Sequence, residues 1–80
     1  MLNEVISKHV DKRLLRYLYE TGKDKRLVEE THEEIARKIG TARGVVTRLL
    51  KRLEVEGLVE INRGQIRIKN FDTLKKEMSL

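Results

Sequence analysis

The chain has no cysteine, which excludes a disulfide, a thiolate metal site and a cysteine nucleophile. No apolar run approaches the length that spans a bilayer, and no charged-then-apolar leader pattern opens the chain. The reading is therefore a soluble cytoplasmic protein with no membrane partner. Only two histidines are present, His9 and His32, and they offer each other no metal-site spacing. His9 reads as a helix-surface or packing residue. No paired carboxylates, nucleophile–base set or phosphate-binding glycine loop accompanies them. The expectation is a protein that is not an enzyme and that needs no metal or cofactor. Aromatics are also few, one phenylalanine and two tyrosines. Tyr17 and Tyr19 lie outside the basic segments, which favours half-burial in a core over base stacking.

What is present is charge and short-period patterning in 80 residues, enough for one domain with a small core and not for two. The formal net charge is +5, and its distribution says more than its size. Residues 31–53 carry Arg37, Lys38, Arg43, Arg48, Lys51 and Arg52 against Glu33 and Glu34. Residues 63–69 carry Arg63, Arg67 and Lys69 with no acid, and Glu54, Glu56 and Glu60 form an acidic patch between the two stretches. Two separated basic segments suit a polyanion held at two places.

Residues 31–53 organise the rest. Thr31-His32-Glu33-Glu34 is an S/T-x-x-E capping box, which satisfies two orphan backbone donors at a helix start. Ile35 and Ile39 share one face of that helix with Ala36 beside them, and Gly40 ends it as a residue able to adopt positive φ. A second helix, over about 42–55, buries Val46, Leu49, Leu50 and Leu53 at helical spacing. Two helices joined by a glycine turn, with the small Ala36 at their crossing, make a helix-turn-helix. With those leucines inward, Ala42, Arg43, Gly44, Thr47 and Arg48 point outward, in the turns that a recognition helix lays against base edges. Arg43 and Arg48 are planar donors suited to guanine O6 and N7. The same residues would also fit a plain solvated helix face. The capped helix and glycine turn before them weigh for recognition.

Before this unit, Leu2, Val5, Ile6 and His9 form a short apolar stripe of helical period. Asp11 is placed to cap a second helix with Leu14, Leu15 and Leu18 inward and Gly22 closing it. Leu27-Val28 has a slight strand signal. After Leu53, Gly57 suits a helix end with Leu58 folding back on it. LVEIN and QIRIK then read as a hairpin around Arg63-Gly64, with Val59, Ile61, Ile66 and Ile68 on one face and charges on the other. Asn70 caps a last helix in which Phe71 and Leu74 pack back onto the domain. The fold class expected is α+β, mainly α: a winged helix-turn-helix with a three-helix core, a two- or three-stranded β-wing over 58–69, and a short C-terminal helix.

In order and spacing, residues 10–71, from DKRLLRYL through THEEIARKIGTARGVVTRLLKRLEVEGLVEINRGQIRI, resemble the C-terminal DNA-binding domain of the Crp/Fnr transcription regulators. The resemblance implies sequence-specific binding of double-stranded DNA by a homodimer, with recognition helices in two successive major grooves and RNA polymerase as a further partner. By position it makes Arg43, Thr47 and Arg48 base-contacting, and Thr31 and His32 phosphate-contacting. Thr41, Lys51 and the wing-tip Arg63 complete the set expected on the backbone. The sequence departs from the family pattern in three ways. Gly44 stands where many relatives have a glutamate that accepts from a base amino group. Ala42 occupies a slot often held by serine or threonine, which leaves Thr41 as the expected N-cap. The effector-binding β-barrel that precedes this domain in the family is absent, so residues 1–9 read as the remnant of a dimerisation helix and residues 10–80 as the DNA-binding domain. An excised C-terminal domain is favoured over a free-standing regulator lacking a ligand sensor, and the expectation is no cyclic-nucleotide, haem or iron–sulfur binding. Two other functions stay open: a winged-helix protein-interaction module, which an apolar recognition face would favour, and a nonspecific nucleic-acid binder, which a steep salt dependence would favour.

Overall fold

A computed structural model describes the backbone of residues 2–79 and the side chains of residues 10–77. The first helix, α1 (Leu2–Gly22), runs without a break. Asp11 therefore caps nothing; it lies mid-helix and its carboxylate accepts from Arg52 Nη2 at 2.7 Å. Neither glycine nor proline interrupts α1 before Gly22, so the backbone had no reason to stop there. The stripe of Leu2, Val5, Ile6 and His9 falls on side chains outside the described residues. From Leu14 onward α1 supplies the core, with Leu14, Leu15 and Leu18 buried. As expected, α1 ends at Gly22, though without positive φ. A Cβ there would sit 2.5 Å from Ile68 Cδ1, so a side chain at this position would force the end of Ile68 to move.

The weak strand at β1 (Leu27–Val28) is real, and it enlarges the wing. It pairs antiparallel with β3 (Gln65–Ile68), which also pairs antiparallel with β2 (Val59–Asn62), giving the order β1-β3-β2. In this register Val28 faces Ile66 and Val59 faces Ile68, and all four side chains are buried. On the outer face Glu60 lies opposite Arg67, and Arg67 Nη2 donates to Glu60 Oε1 at 2.7 Å. A period of two has thus divided the hairpin into a core face and a charged face.

Between β1 and β2 lie α2 (His32–Ile39) and α3 (Arg43–Val55), packed against one another. The capping box is formed: Glu34 N–H donates to Thr31 Oγ1 at 3.1 Å, and Thr31 N–H donates to Glu34 Oε1 at 2.8 Å. Gly40 ends α2 at φ +76°, a conformation that costs a side-chain-bearing residue about 1 kcal/mol or more. Thr41 N–H then donates back to Ala36 O at 2.9 Å. This bond holds Thr41 in the turn and makes the extended Ala42 the N-cap of α3, without a side-chain cap bond. The expectation of Thr41 as N-cap is thereby corrected. At the other end of α3, Gly57 N–H donates to Glu54 O and Leu58 N–H to Leu53 O, the paired bonds of a Schellman motif.

The last helix, α4 (Phe71–Ser79), packs on α1. Asn70 Oδ1 caps it by accepting from Thr73 N–H at 3.1 Å, and Leu74 is fully buried. Phe71 stacks on Tyr19 with ring centroids 5.0 Å apart, and the Arg26 guanidinium lies 4.7 Å from the Phe71 ring centre. Both tyrosines are half-buried, as their spacing predicts. Ile35, Val46, Leu50 and Ile66 meet Leu14, Leu18 and Leu74 in one core. The apolar side of α3 is consumed there, and its remaining side faces solvent.

Candidate nucleic-acid interface

Burying Val46, Leu49, Leu50 and Leu53 fixes the rotation of α3 about its axis. Arg43, Gly44 and Arg48 are then exposed on the outer side, with Thr47 half-buried between them. Arg43, Thr47 and Lys51 repeat every four residues and share one face. Among the described residues, neither Arg43, Arg48, Lys51 nor Arg63 makes an ion pair. Some cations elsewhere are matched by acids: Lys38 meets Glu30 at 2.6 Å, Arg52 meets Asp11 and Arg67 meets Glu60.

An open groove runs from the start of α2 past the start of α3 to the wing tip. Thr31, His32, Arg43, Asn62 and Arg63 line it, with Glu30 and Glu33 on its α2 side. Four of the residues that the sequence singles out, Thr31, His32, Arg43 and Arg63, therefore share one concavity. Thr41 lies in a neighbouring depression with Arg37 and Arg43. Arg48 and Lys51 stand further along α3, outside both hollows.

Thr47 and His32 meet directly, with the Thr47 hydroxyl 2.9 Å from His32 Nδ1. Burial, and after it the neighbouring Arg43 charge, lower the His32 pKa below its ordinary value. The ring is thus held neutral near pH 7. Spacing alone did not signal this contact, because the two residues belong to different helices and only the packing of α2 on α3 brings them together. Among the described residues, no cluster of three His, Asp or Glu side chains stands ready to hold a metal.

Supporting contacts around the site were also invisible in the sequence. Arg13 Nη1 donates to Ile39 O at 2.6 Å, satisfying a carbonyl at the end of α2 with a cation from α1. The Tyr17 hydroxyl donates to Glu30 Oε1, while Lys38 holds Glu30 Oε2. Burial first, and then Glu30, raise the Tyr17 pKa. This network pins the segment leading into Thr31. On the other side Ile61 N–H donates to Glu54 Oε2 at 3.1 Å, which ties the wing to α3. A long side chain and a distant acceptor carry no periodicity, so only the tertiary contacts disclose them.

Comparison with known proteins places this geometry. Among solved structures, a transcriptional regulator assigned to the Crp/Fnr family from Eubacterium rectale matches 99% of this chain and 38% of its own, at 33% identity and a TM-score of 0.85. The CO-dependent transcription factor CooA from Carboxydothermus hydrogenoformans matches 96% of this chain and 40% of its own, at 26% identity and a TM-score of 0.82. The catabolite activator protein of Thermus thermophilus shares the fold over 98% of this chain and 38% of its own, at 24% identity and a TM-score of 0.87. The chain thus spans about two fifths of the length of these relatives. Among curated proteins none matches it. Residues 12–77, most of the chain, match the Crp-like helix-turn-helix domain, and the chain belongs to that family.

Proposed function

We propose that this domain binds double-stranded DNA sequence-specifically in transcription regulation, with residues 42–55 along the major groove and the wing over 58–69 on the backbone. The observation that carries the reading is the unpaired state of Arg43 and Arg48, exposed on the outer side of α3 beside a groove that ends at Arg63. Arg52 and Arg67, by contrast, are held by Asp11 and Glu60. Arg43 and Arg48 donate to guanine edges and Thr47 meets the base beside them. Thr31, His32, Thr41, Lys51 and Arg63 face phosphates, and the positive end of α2 favours an anion at its first turn.

Residues 10–80 form the DNA-binding domain in this reading, and residues 1–9 belong to a helix that joins it to a dimerisation region. Two copies related by a dyad occupy successive major grooves, with RNA polymerase as a further partner in the cytoplasm. The regulator family supports a role without catalysis. A protein-interaction role is less well supported, because the exposed large apolar side chain among the described residues is Val55, 86% exposed at the far end of α3. Selection from a random duplex library at moderate salt tests the proposal. A palindrome with half-sites about one helical turn apart is the expected result. Binding that is indifferent to sequence and collapses with added salt would overturn it.

A further inference from the structure

The contact between His32 and Thr47 joins a residue expected on the backbone to one expected on a base. A hydroxyl carries one proton. If Thr47 donates that proton to Nδ1, its oxygen has only lone pairs left for a base. If Thr47 accepts from Nδ1–H, its own proton is free. The state of the imidazole decides which holds. Among the described residues, Nδ1 has Thr47 as its partner at 2.9 Å and Nε2 has no protein partner. His32 also lines the groove that reaches Arg63. A phosphate held there by Nε2–H fixes the neutral tautomer in which Nδ1 accepts.

We propose that His32 is a positioning residue that sets the hydrogen-bond polarity of Thr47, coupling backbone contact to base choice through one ring. With the neutral ring, Thr47 presents lone pairs and suits the amino groups of adenine or cytosine. With the imidazolium, both ring nitrogens donate, the Thr47 proton turns outward, and the keto edges of guanine or thymine are preferred. The charged groups around the ring are Glu30 and Glu33 beside α2, Arg43 from α3 and Arg63 from the wing tip. Glu30 is already occupied by Tyr17 and Lys38. In the free domain burial, and after it Arg43, favour the neutral form.

The inference rests on the duplex-reading role proposed above, and its test separates the two. The 80-residue chain and its His32→Ala, Thr47→Val and Thr47→Ser variants are each used to select from a random duplex library at about pH 8 and about pH 5.5. One base position of the wild-type motif should shift roughly fivefold from adenine or cytosine toward guanine or thymine as the pH falls. The shift should vanish in His32→Ala and Thr47→Val and persist in Thr47→Ser. A shift that survives either of the first two variants overturns the coupling, as does a wild-type motif identical at both pH values. Nitrogen-15 shifts of His32 in the wild-type complex give a readout that needs no variant. They should report Nε2–H at about pH 8, and Nδ1–H there would overturn the proposal. If the wild type enriches no motif, the duplex-reading role fails and takes the inference with it.

Discussion

The two halves of α3 use their polar side chains in opposite ways. In the second half, Arg52 reaches Asp11 on α1 and Glu54 accepts from Ile61 on the wing, so both groups hold neighbouring elements in place, and Lys51 alone continues the outward row of the first half. In the first half, Arg43 and Arg48 hold nothing among the described residues, and Thr47 is engaged only by His32. Both halves rest on the same buried row, Val46, Leu49, Leu50 and Leu53. One helix thus supplies a structural joint at one end and an uncommitted donor array at the other. Groups that the fold does not need are the ones free to be given to a ligand.

Four substitutions can break or sharpen that contrast. Leu53→Ala, in the second half, should cost about 2–5 kcal/mol of stability by opening a cavity. Its effect on DNA should follow the unfolded fraction alone, as measured by denaturant titration beside a binding assay. Arg48→Ala, in the first half, should cost about 1–3 kcal/mol on the selected site and relax specificity at one base, with an unchanged unfolding midpoint. Equal losses on selected and random duplex would instead make Arg48 a backbone contact. Ala42→Ser should add about 1 kcal/mol of stability by capping α3, visible as a higher thermal midpoint with the same base preferences. Arg52→Ala should cost about 0.2–1 kcal/mol, because the pair it forms with Asp11 is solvent-exposed on the arginine side. A change in base preference would show that the second half also reads DNA.

The smallest effect concerns His32. Its pKa is lower in the folded domain than in the unfolded chain, so below about pH 6.5 the unfolded chain binds the proton more readily and folding loses stability as the pH falls. His32→Gln should flatten that part of the profile of unfolding midpoint against pH. The difference between variant and wild type isolates it from every other titrating group. A steeper fall in the variant would place the contribution elsewhere.

Much of this architecture follows from residues three or four apart. The capping box at Thr31, the Schellman turn at Gly57, the Asn70 cap and the apolar rows of α2 and α3 are local chemistry, and the alternation of Val59, Ile61, Ile66 and Ile68 sets the hairpin faces in the same way. Asp11 was misread because an acid before an apolar row resembles a cap. What it does depends on Arg52, brought near because α1 and α3 share one core. Gly22 does end α1, but its closeness to Ile68 across the domain carries no local signal. The exposed side of α3 was legible because burying one row of a helix forces its opposite row outward.

The sequence by itself therefore determined the elements, their caps and the side of α3 that faces solvent, because each depends on backbone hydrogen bonding and periodicity within a turn or two. The tertiary structure alone decided which charges are neutralised, that the sheet presses against the end of α1, and that Thr47 meets His32. Those outcomes depend on where side chains from distant elements come to rest. Only the closing of the shared core fixes that.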